Sequence, residues 1–200
     1  GVWELWWNGN GFSICAIDHR KGISLDLETQ QTKPLLFQGP NGYSRKGEGP
    51  TAASLYYTLP RLATTGTVSI GGRDYSISGE SWMDKEFGST MLSETQVGWD
   101  WFSVQMDDGS ELMVFQIRRV DGSVDSFSSG TWVGPDGGTR HLDRGDFQIR
   151  VEDTWRSPHT GATYPARWTV TVRSSPPEGR TTSSTVVPAS PSRLSIAASR

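Results

Sequence analysis

Acidic and aromatic side chains that could carry out acid catalysis are concentrated between Trp82 and Phe102. In an extended strand Trp82, Asp84 and Glu86 share one face, and on the next strand Asp100 shares a face with Phe102. A carboxyl that aromatic rings shield from water has a raised pKa and can donate a proton near neutral pH. Apolar walls around such an acid suit an alkene or polyene, whose protonation gives a carbocation that aromatic faces stabilise. Water would then add to complete a hydration, so the catalytic candidates are Asp84, Glu86 and Asp100.

The same cluster also has a structural interpretation and a ligand-binding one. Lys85 or a nearby arginine would neutralise the acids, and Asp84 and Asp100 would bond backbone N–H groups and fix a bend between strands. The nine Trp, seven Phe and five Tyr of the chain favour a wide interior with flat walls, although a bulky core explains them equally. The residues expected to contact an apolar small molecule are Trp82, Trp99, Trp101, Phe102, Tyr57 and Arg61.

Other chemistries are disfavoured by residue type and spacing. His19, His141 and His159 lack metal-ligand spacing, and the single Cys15 allows neither a disulfide nor a cysteine-rich zinc site, so no metal is expected. The sequence has no P-loop, nucleophile elbow or dinucleotide-binding glycine motif, and we expect no cofactor. A net charge of −3 disfavours nucleic acid as a partner. No apolar run is long enough to predict a transmembrane segment.

The elements that must position these residues are short strands. Apolar residues recur at every second position in Ile23–Leu27, Val68–Ile70, Tyr75–Ile77 and Trp168–Val172. Turns rich in Gly and Asp separate the strands at short spacing, which predicts a meander of hairpins. Leu112–Ile117 is apolar at nearly every position, so this strand is expected to be covered on both faces. We therefore predict an all-β, antiparallel protein whose meander closes into a barrel or pairs with a second sheet.

Two segments depart from this pattern. Residues 38–50 form a glycine-rich stretch that is either a structured loop at the rim of a barrel or a plain connection. From Ser174 to Arg200 the chain has no Trp, Tyr or Phe, so we predict a disordered tail. The abrupt change after Arg173 favours either a frameshift or cloning junction, or an ordinary linker. The chain opens without Met or an apolar leader, so we expect that the true N-terminus is missing, and cellular location and export stay open.

Five strings carry a family resemblance, and in chain order they are Gly42–Gly47, Tyr56–Leu62, Ser81–Glu86, Gly98–Phe102 and Tyr164–Trp168. From about Trp3 to Val172 they resemble the lipocalin-like family of carotenoid 1,2-hydratase and the AttH-like proteins. The resemblance implies parts of two consecutive lipocalin-like meander barrels in a longer protein. Residues 1–90 would be the C-terminal part of the first barrel, and residues 91–173 the N-terminal part of the second.

The resemblance leaves three functions open. Carotenoid hydratases of this family add water to a terminal double bond of an acyclic carotenoid without a cofactor, related fungal pericyclases shape a polyene for Diels–Alder cyclisation, and many AttH-like proteins have no known activity. Trp82, Asp84, Glu86 and Asp100 match family positions, whereas Lys85 stands where the hydratases have a histidine that could relay protons. We therefore place first a protein that binds an isoprenoid, lipid or polyene, then a hydratase, and then a pericyclase.

Overall fold

The structure, a computed structural model, describes residues 2–88, 92–173 and 195–198. The chain forms two compact units, the first made of Gly1–Phe37 and Tyr56–Phe87 and the second of Gln38–Leu55 and Gly88–Arg200. In chain order the strands are β1 (Val2–Trp7), β2 (Phe12–Asp18), β3 (Ile23–Gln31), β4 (Leu36–Phe37), β5 (Tyr43–Arg45), β6 (Ala53–Ile70), β7 (Arg73–Phe87), β8 (Gln96–Gln105), β9 (Glu111–Arg119), β10 (Ser129–Val133), β11 (Thr139–Leu142), β12 (Phe147–Arg156), β13 (Thr163–Val172) and β14 (Ser195–Ala198), with one 3-10 turn at Pro40–Gly42.

The first unit is an antiparallel sheet in the order β1-β2-β3-β6-β7, with β4 beside β6 where β3 has ended. The expected period-two segments lie in β3, β6 and β7, so the prediction of antiparallel strands is confirmed. Gly66 permits the close approach of β3 and β6, because a Cβ there would lie 2.1 Å from the carbonyl oxygen of Asp26. Its φ of +152° is also unfavourable for other residues, so glycine is required for two reasons.

One extra residue changes which side chains of β6 and β7 share a face. Near the hairpin turn, each side-chain contact between the two strands joins an odd-numbered residue to an even-numbered one, as in Ser69–Asp74, Thr64–Ser81 and Arg61–Glu80. Farther from the turn, the contacts join two even-numbered residues, Thr58 and Asp84, or two odd-numbered ones, Tyr57 and Phe87. Since side chains alternate strictly, a change of parity requires a β-bulge, either in β6 between Thr58 and Arg61 or in β7 between Ser81 and Asp84.

We infer that the bulge lies in β6 at Leu59–Pro60, both of which are buried, because Pro60 interrupts the ladder of the strand there. Proline lacks a backbone N–H, so it is tolerated at bulges and disfavoured within a regular ladder. As a result Tyr56, Thr58 and Arg61 share a face with Trp82 and Asp84. Tyr57, Leu62 and Thr64 share the other face with Ser81, Met83, Lys85 and Phe87.

Strand β1 lies at the edge of the first unit's sheet and is exposed along its whole length. Trp3 is 81% exposed and Leu5 62%, and Trp6 and Trp7 are each about half exposed. Thus three of the nine Trp residues lie on an open strand, and the expectation that they line an interior does not hold for these three.

The second unit contains a five-stranded antiparallel sheet in the order β11-β10-β9-β8-β14 and a two-stranded hairpin, β12-β13. Leu112, Met113, Val114, Phe115 and Ile117 of β9 are all buried, which confirms that this strand is covered on both faces. The core joins the sheet to the hairpin and consists of Phe102, Leu112, Val114, Leu142, Phe147, Trp168, Val170 and Val172.

The glycine-rich segment folds as part of this second unit. The Thr131 hydroxyl donates to the buried side-chain oxygen of Gln38 at 2.6 Å, and Gln96 Nε2 donates to the carbonyl of Lys46 at 2.8 Å. The Lys46 ammonium also lies 3.8 Å from the centre of the Phe115 ring. The segment is therefore a structured loop rather than a plain connection. The segment belongs to the second unit although it precedes residue 90 in the chain. The assignment of residues 1–90 and 91–173 to two barrels stays a prediction.

Of residues 174–200, predicted to be disordered, the structure describes only Ser195–Ala198, a short strand that pairs with β8. The remainder of that segment lies outside the described residues. Within the described part of the chain, no helix combines the length and apolar character needed to cross a membrane.

Candidate functional site

The first unit places Asp84 in a polar pocket of aromatic and hydroxyl groups on β6 and β7. The Thr58 hydroxyl donates a hydrogen bond to Asp84 Oδ1 at 2.5 Å. The Tyr56 hydroxyl and the Trp82 indole N–H also lie near the carboxyl, and each lowers the pKa of Asp84. Tyr56 and Thr58 are buried, whereas Trp82 and Asp84 keep part of their surface accessible. Trp82 and Asp84 are therefore half-buried rather than enclosed in the core.

Burial raises the pKa of the Asp84 carboxyl above its ordinary value of 3.8, and the negative charge of Glu86 adds to the rise. The hydrogen bond from Thr58 and the donors of Trp82 and Tyr56 oppose this change but do not cancel it. The Trp82 Nε1 atom is buried and completes no hydrogen bond to a described residue, so the indole acts on Asp84 through proximity rather than through a well-aligned bond.

Asp84 forms no salt bridge among the described contacts, because the two nearby cations have other partners. Arg61 NH1 lies 2.6 Å from both carboxylate oxygens of Glu80, two residues from Trp82 on the same face. Lys85 points to the opposite face, with its ammonium 5.0 Å from the centre of the Phe87 ring. The interpretation in which Lys85 neutralises the acids therefore does not apply to Asp84. Arg61, expected to contact ligand, forms an ion pair with Glu80, and its contact with a ligand stays a prediction.

Tyr57 lies on the face opposite Asp84. Its ring centre is 6.5 Å from that of Phe87, and its backbone pairs with Phe37 of β4. Tyr57 was expected to contact the same ligand as Trp82, but the bulge in β6 separates the two by the thickness of the sheet. Glu86, the second acid of β7, is exposed and follows Asp84 on the same face.

The remaining predicted residues belong to β8 in the second unit. Asp100 is largely buried there, with 13% of its side chain exposed, and burial raises its pKa. Arg118, whose Nε lies 3.7 Å from Asp100 Oδ2, lowers that pKa in part. Asp100 thus differs from Asp84 in having a cation beside it, which favours its charged form.

The aromatic residues of β8 have two different environments. Phe102 is 2% exposed and packs edge-on against Trp168, with ring centres 5.5 Å apart, so it belongs to the hydrophobic core. Trp99 and Trp101 lie on the opposite face of β8 and are partly exposed. Either of these two is better placed to contact a ligand than Phe102.

The structure brings together Trp82 and Asp84 with Tyr56 and Thr58, two partners that sequence reasoning missed. It also pairs Asp100 with Arg118, an arginine that the sequence analysis expected near the acids but did not identify. Alternation along β6 could have shown that Tyr56 and Thr58 share a face, but not that this face meets Asp84. Among the residues described, no group of three or more His, Cys, Asp and Glu side chains is arranged to hold a metal ion.

Comparison with known proteins identifies the family. The sequence profile of the AttH-like family matches residues 1–192. None of the curated proteins matches the chain. The solved structure of an AttH protein from Nitrosomonas europaea is similar with a TM-score of 0.78 and 34% identity, over 84% of this chain and 52% of that one.

A second solved structure shows the same fold at lower identity. Kievitone hydratase from Nectria haematococca matches with a TM-score of 0.62 and 18% identity, over 84% of this chain and 54% of that one. The chain therefore spans about half the length of both proteins. The predicted all-β, lipocalin-like fold is confirmed, and the profile match over nearly all of the sequence shows that this chain belongs to the AttH-like family.

Proposed function

We propose that the protein binds an apolar, unsaturated small molecule on the face of β6 and β7 that carries Trp82 and Asp84. The observation that supports this is a partly accessible indole beside a partly accessible carboxyl that a buried hydroxyl holds in place. Aromatic surface supplies most of the binding energy in such sites, and a few polar groups orient the ligand. The ligand classes that suit this surface are isoprenoids, lipids and polyenes.

A fluorescent polyene, cis-parinaric acid, tests binding to the whole chain. We expect saturable binding, with an affinity at least about tenfold weaker in Trp82→Ala because a stacking surface is lost. Trp155→Ala is the matched control, since Trp155 is 51% exposed on β12 in the other unit. Equal losses in the two variants, or binding that never saturates, would refute the proposed surface.

The raised pKa of Asp84 favours a second function, cofactor-free hydration of a carbon–carbon double bond. The protonated carboxyl would transfer its proton to the terminal alkene carbon, forming a C–H bond and a carbocation on the neighbouring carbon. Water would then form a C–O bond to that carbon and return a proton to the Asp84 carboxylate, which restores the acid. Trp82 would stabilise the cation through its aromatic face.

Turnover of an acyclic terpene in deuterium oxide tests this second function. We expect the wild-type chain to give a deuterated tertiary alcohol, and Asp84→Asn to lower the rate about 100-fold or more because the acid is lost. Asp121→Asn, in an exposed turn of the second unit, should leave the rate unchanged. Polyene binding with no alcohol formed, or the same rate in Asp84→Asn, would leave the binding function and exclude acid catalysis by Asp84. A cyclised product that survives Asp84→Asn would instead indicate a pericyclase.

A further inference from the structure

The outer face of the β12-β13 hairpin has a polar depression that the proposed function does not use. Phe147, Val170 and Val172 point into the core of the second unit, so alternation turns their neighbours Gln148 and Thr171 outward. There a depression of about 320 Å³ is lined by Arg144, Gly145, Phe147, Gln148, Thr171 and Arg173. Gln148 and Thr171 also line an adjoining depression of about 310 Å³.

Two guanidinium groups of this depression have no carboxylate partner among the residues that the structure describes. Neither Arg144 nor Arg173 forms an ion pair with an acid in the described part of the chain. Arg150, which lines only the adjoining depression, differs because it lies 2.7 Å from Glu152. Positive charge is therefore concentrated at the Arg144–Arg173 end, and paired charge at the Arg150 end.

Neighbouring groups reinforce this difference. The Arg140 guanidinium donates to the backbone carbonyl of Arg173 at 2.9 Å and brings a third positive charge nearby. The two closest acids in sequence, Asp143 and Asp146, form no ion pair with Arg144 or Arg173 in the described part of the chain. Asp143 lies 3.3 Å from His141, and Asp146 accepts a hydrogen bond from the backbone N–H of Asp143 at 2.9 Å.

We propose that this depression binds a small organic anion through its carboxylate or phosphate group, held between Arg144 and Arg173. Guanidinium groups match the two oxygens of such anions and form charge-assisted hydrogen bonds with them. Gln148 and Thr171 lie directly opposite each other in the hairpin and supply an amide and a hydroxyl donor. The volume suits a ligand of small-metabolite size. This site lies in the second unit and uses none of the residues proposed to bind the apolar ligand.

Titration of the whole chain with succinate and, separately, with inorganic phosphate tests the site. Amide chemical shifts are recorded at constant ionic strength, with sodium chloride as the balancing salt. We expect saturable shifts at Gln148 and Thr171 with at least one anion, and the stronger of the two identifies carboxylate or phosphate as the preferred group. Arg144→Gln and Arg173→Gln should each weaken binding about tenfold or more, because each removes a charge-assisted bond.

Arg150→Gln is the matched control, since its charge is already paired with Glu152, and it should change the affinity less than twofold. Asp84→Asn should bind the anion as the wild type does. Shifts that grow linearly with both anions, or equal effects of Arg150→Gln and Arg173→Gln, would show general surface screening and overturn the proposal.

Discussion

Replacing Asp84 with Asn should change the pH dependence of stability in a defined direction. Burial raises the pKa of Asp84 in the folded chain above 3.8, its ordinary value. As pH rises above that value, the unfolded chain loses this proton first, so the folded chain binds more protons and its stability falls. The loss is complete once pH passes the folded-state pKa. Asn does not titrate, so the stability of wild type relative to Asp84→Asn should be greatest in acid and should decline toward neutral pH.

The size of this effect has a clear ceiling. One proton changes the free energy of unfolding by at most about 1.4 kcal/mol per pH unit. For a chain of this size that corresponds to roughly 3–6 °C in Tm per pH unit within the titration window. The hydrogen bond from Thr58 remains possible in the variant, because an amide oxygen accepts it as a carboxylate does.

Urea unfolding followed by tryptophan fluorescence, at intervals from pH 3 to pH 8, measures the difference. Asp125→Asn provides a control of opposite sign. Although burial acts to raise the pKa of Asp125, hydrogen bonds from Phe127 N–H and Gln96 and the charge of Arg119 together hold it below its usual value. Asp125 therefore contributes stability that is present above about pH 3.8 and is lost as pH falls through its folded-state pKa.

The result that refutes this reasoning is specific. If the stability of wild type relative to Asp84→Asn stays constant or grows from pH 3 to pH 8, Asp84 is not destabilised in its charged form. The proposal that it acts as a proton donor would then lose its main support.

Two further predictions concern single contacts. Arg118→Gln should raise the pKa of Asp100, because the guanidinium that lowers it is removed. Carboxyl chemical shifts followed through a pH titration measure this pKa, and an unchanged or lower value would contradict the ion pair. Gly66→Ala should destabilise the chain by about 3 kcal/mol or more, because the new Cβ would clash with the carbonyl of Asp26. Gly79→Ala is the control and should be nearly neutral, because a Cβ at Gly79 has no atom within 4 Å. Urea unfolding measures both variants, and similar losses of stability would contradict the close approach of β3 and β6.

Local sequence was sufficient to predict the strands and the faces of β7, because side-chain alternation depends only on neighbours in the chain. Trp82, Asp84 and Glu86 lie on one face as the period of two requires. The partners of Asp84 could not be predicted in the same way. Thr58 reaches Asp84 only because β6 contains a bulge, and alternation in one strand carries no information on its register with the next.

Residues far apart in sequence explain the other differences. The glycine-rich segment at 38–50 is fixed within the second unit by Gln38, whose partner Thr131 is 93 residues away. Phe102 was expected to bind ligand, yet it packs on Trp168 in the core, because an aromatic residue suits either environment and only the folded hairpin decides between them. Arg61 likewise pairs with Glu80 across a hairpin.

The bulge at Leu59–Pro60 makes the length of β6 as consequential as its composition. Deleting one of these two residues would remove the bulge and keep Thr58 beside Asp84, because an uninterrupted ladder then pairs β6 and β7 as they already pair on either side of the bulge. Deleting both would turn every side chain before that point to the opposite face of the sheet, so that Tyr57 would meet Asp84, and Tyr56 and Thr58 would leave it. Loops of the protein can change length gradually, whereas at this point of β6 an odd or even number of residues decides which side chains face the acid.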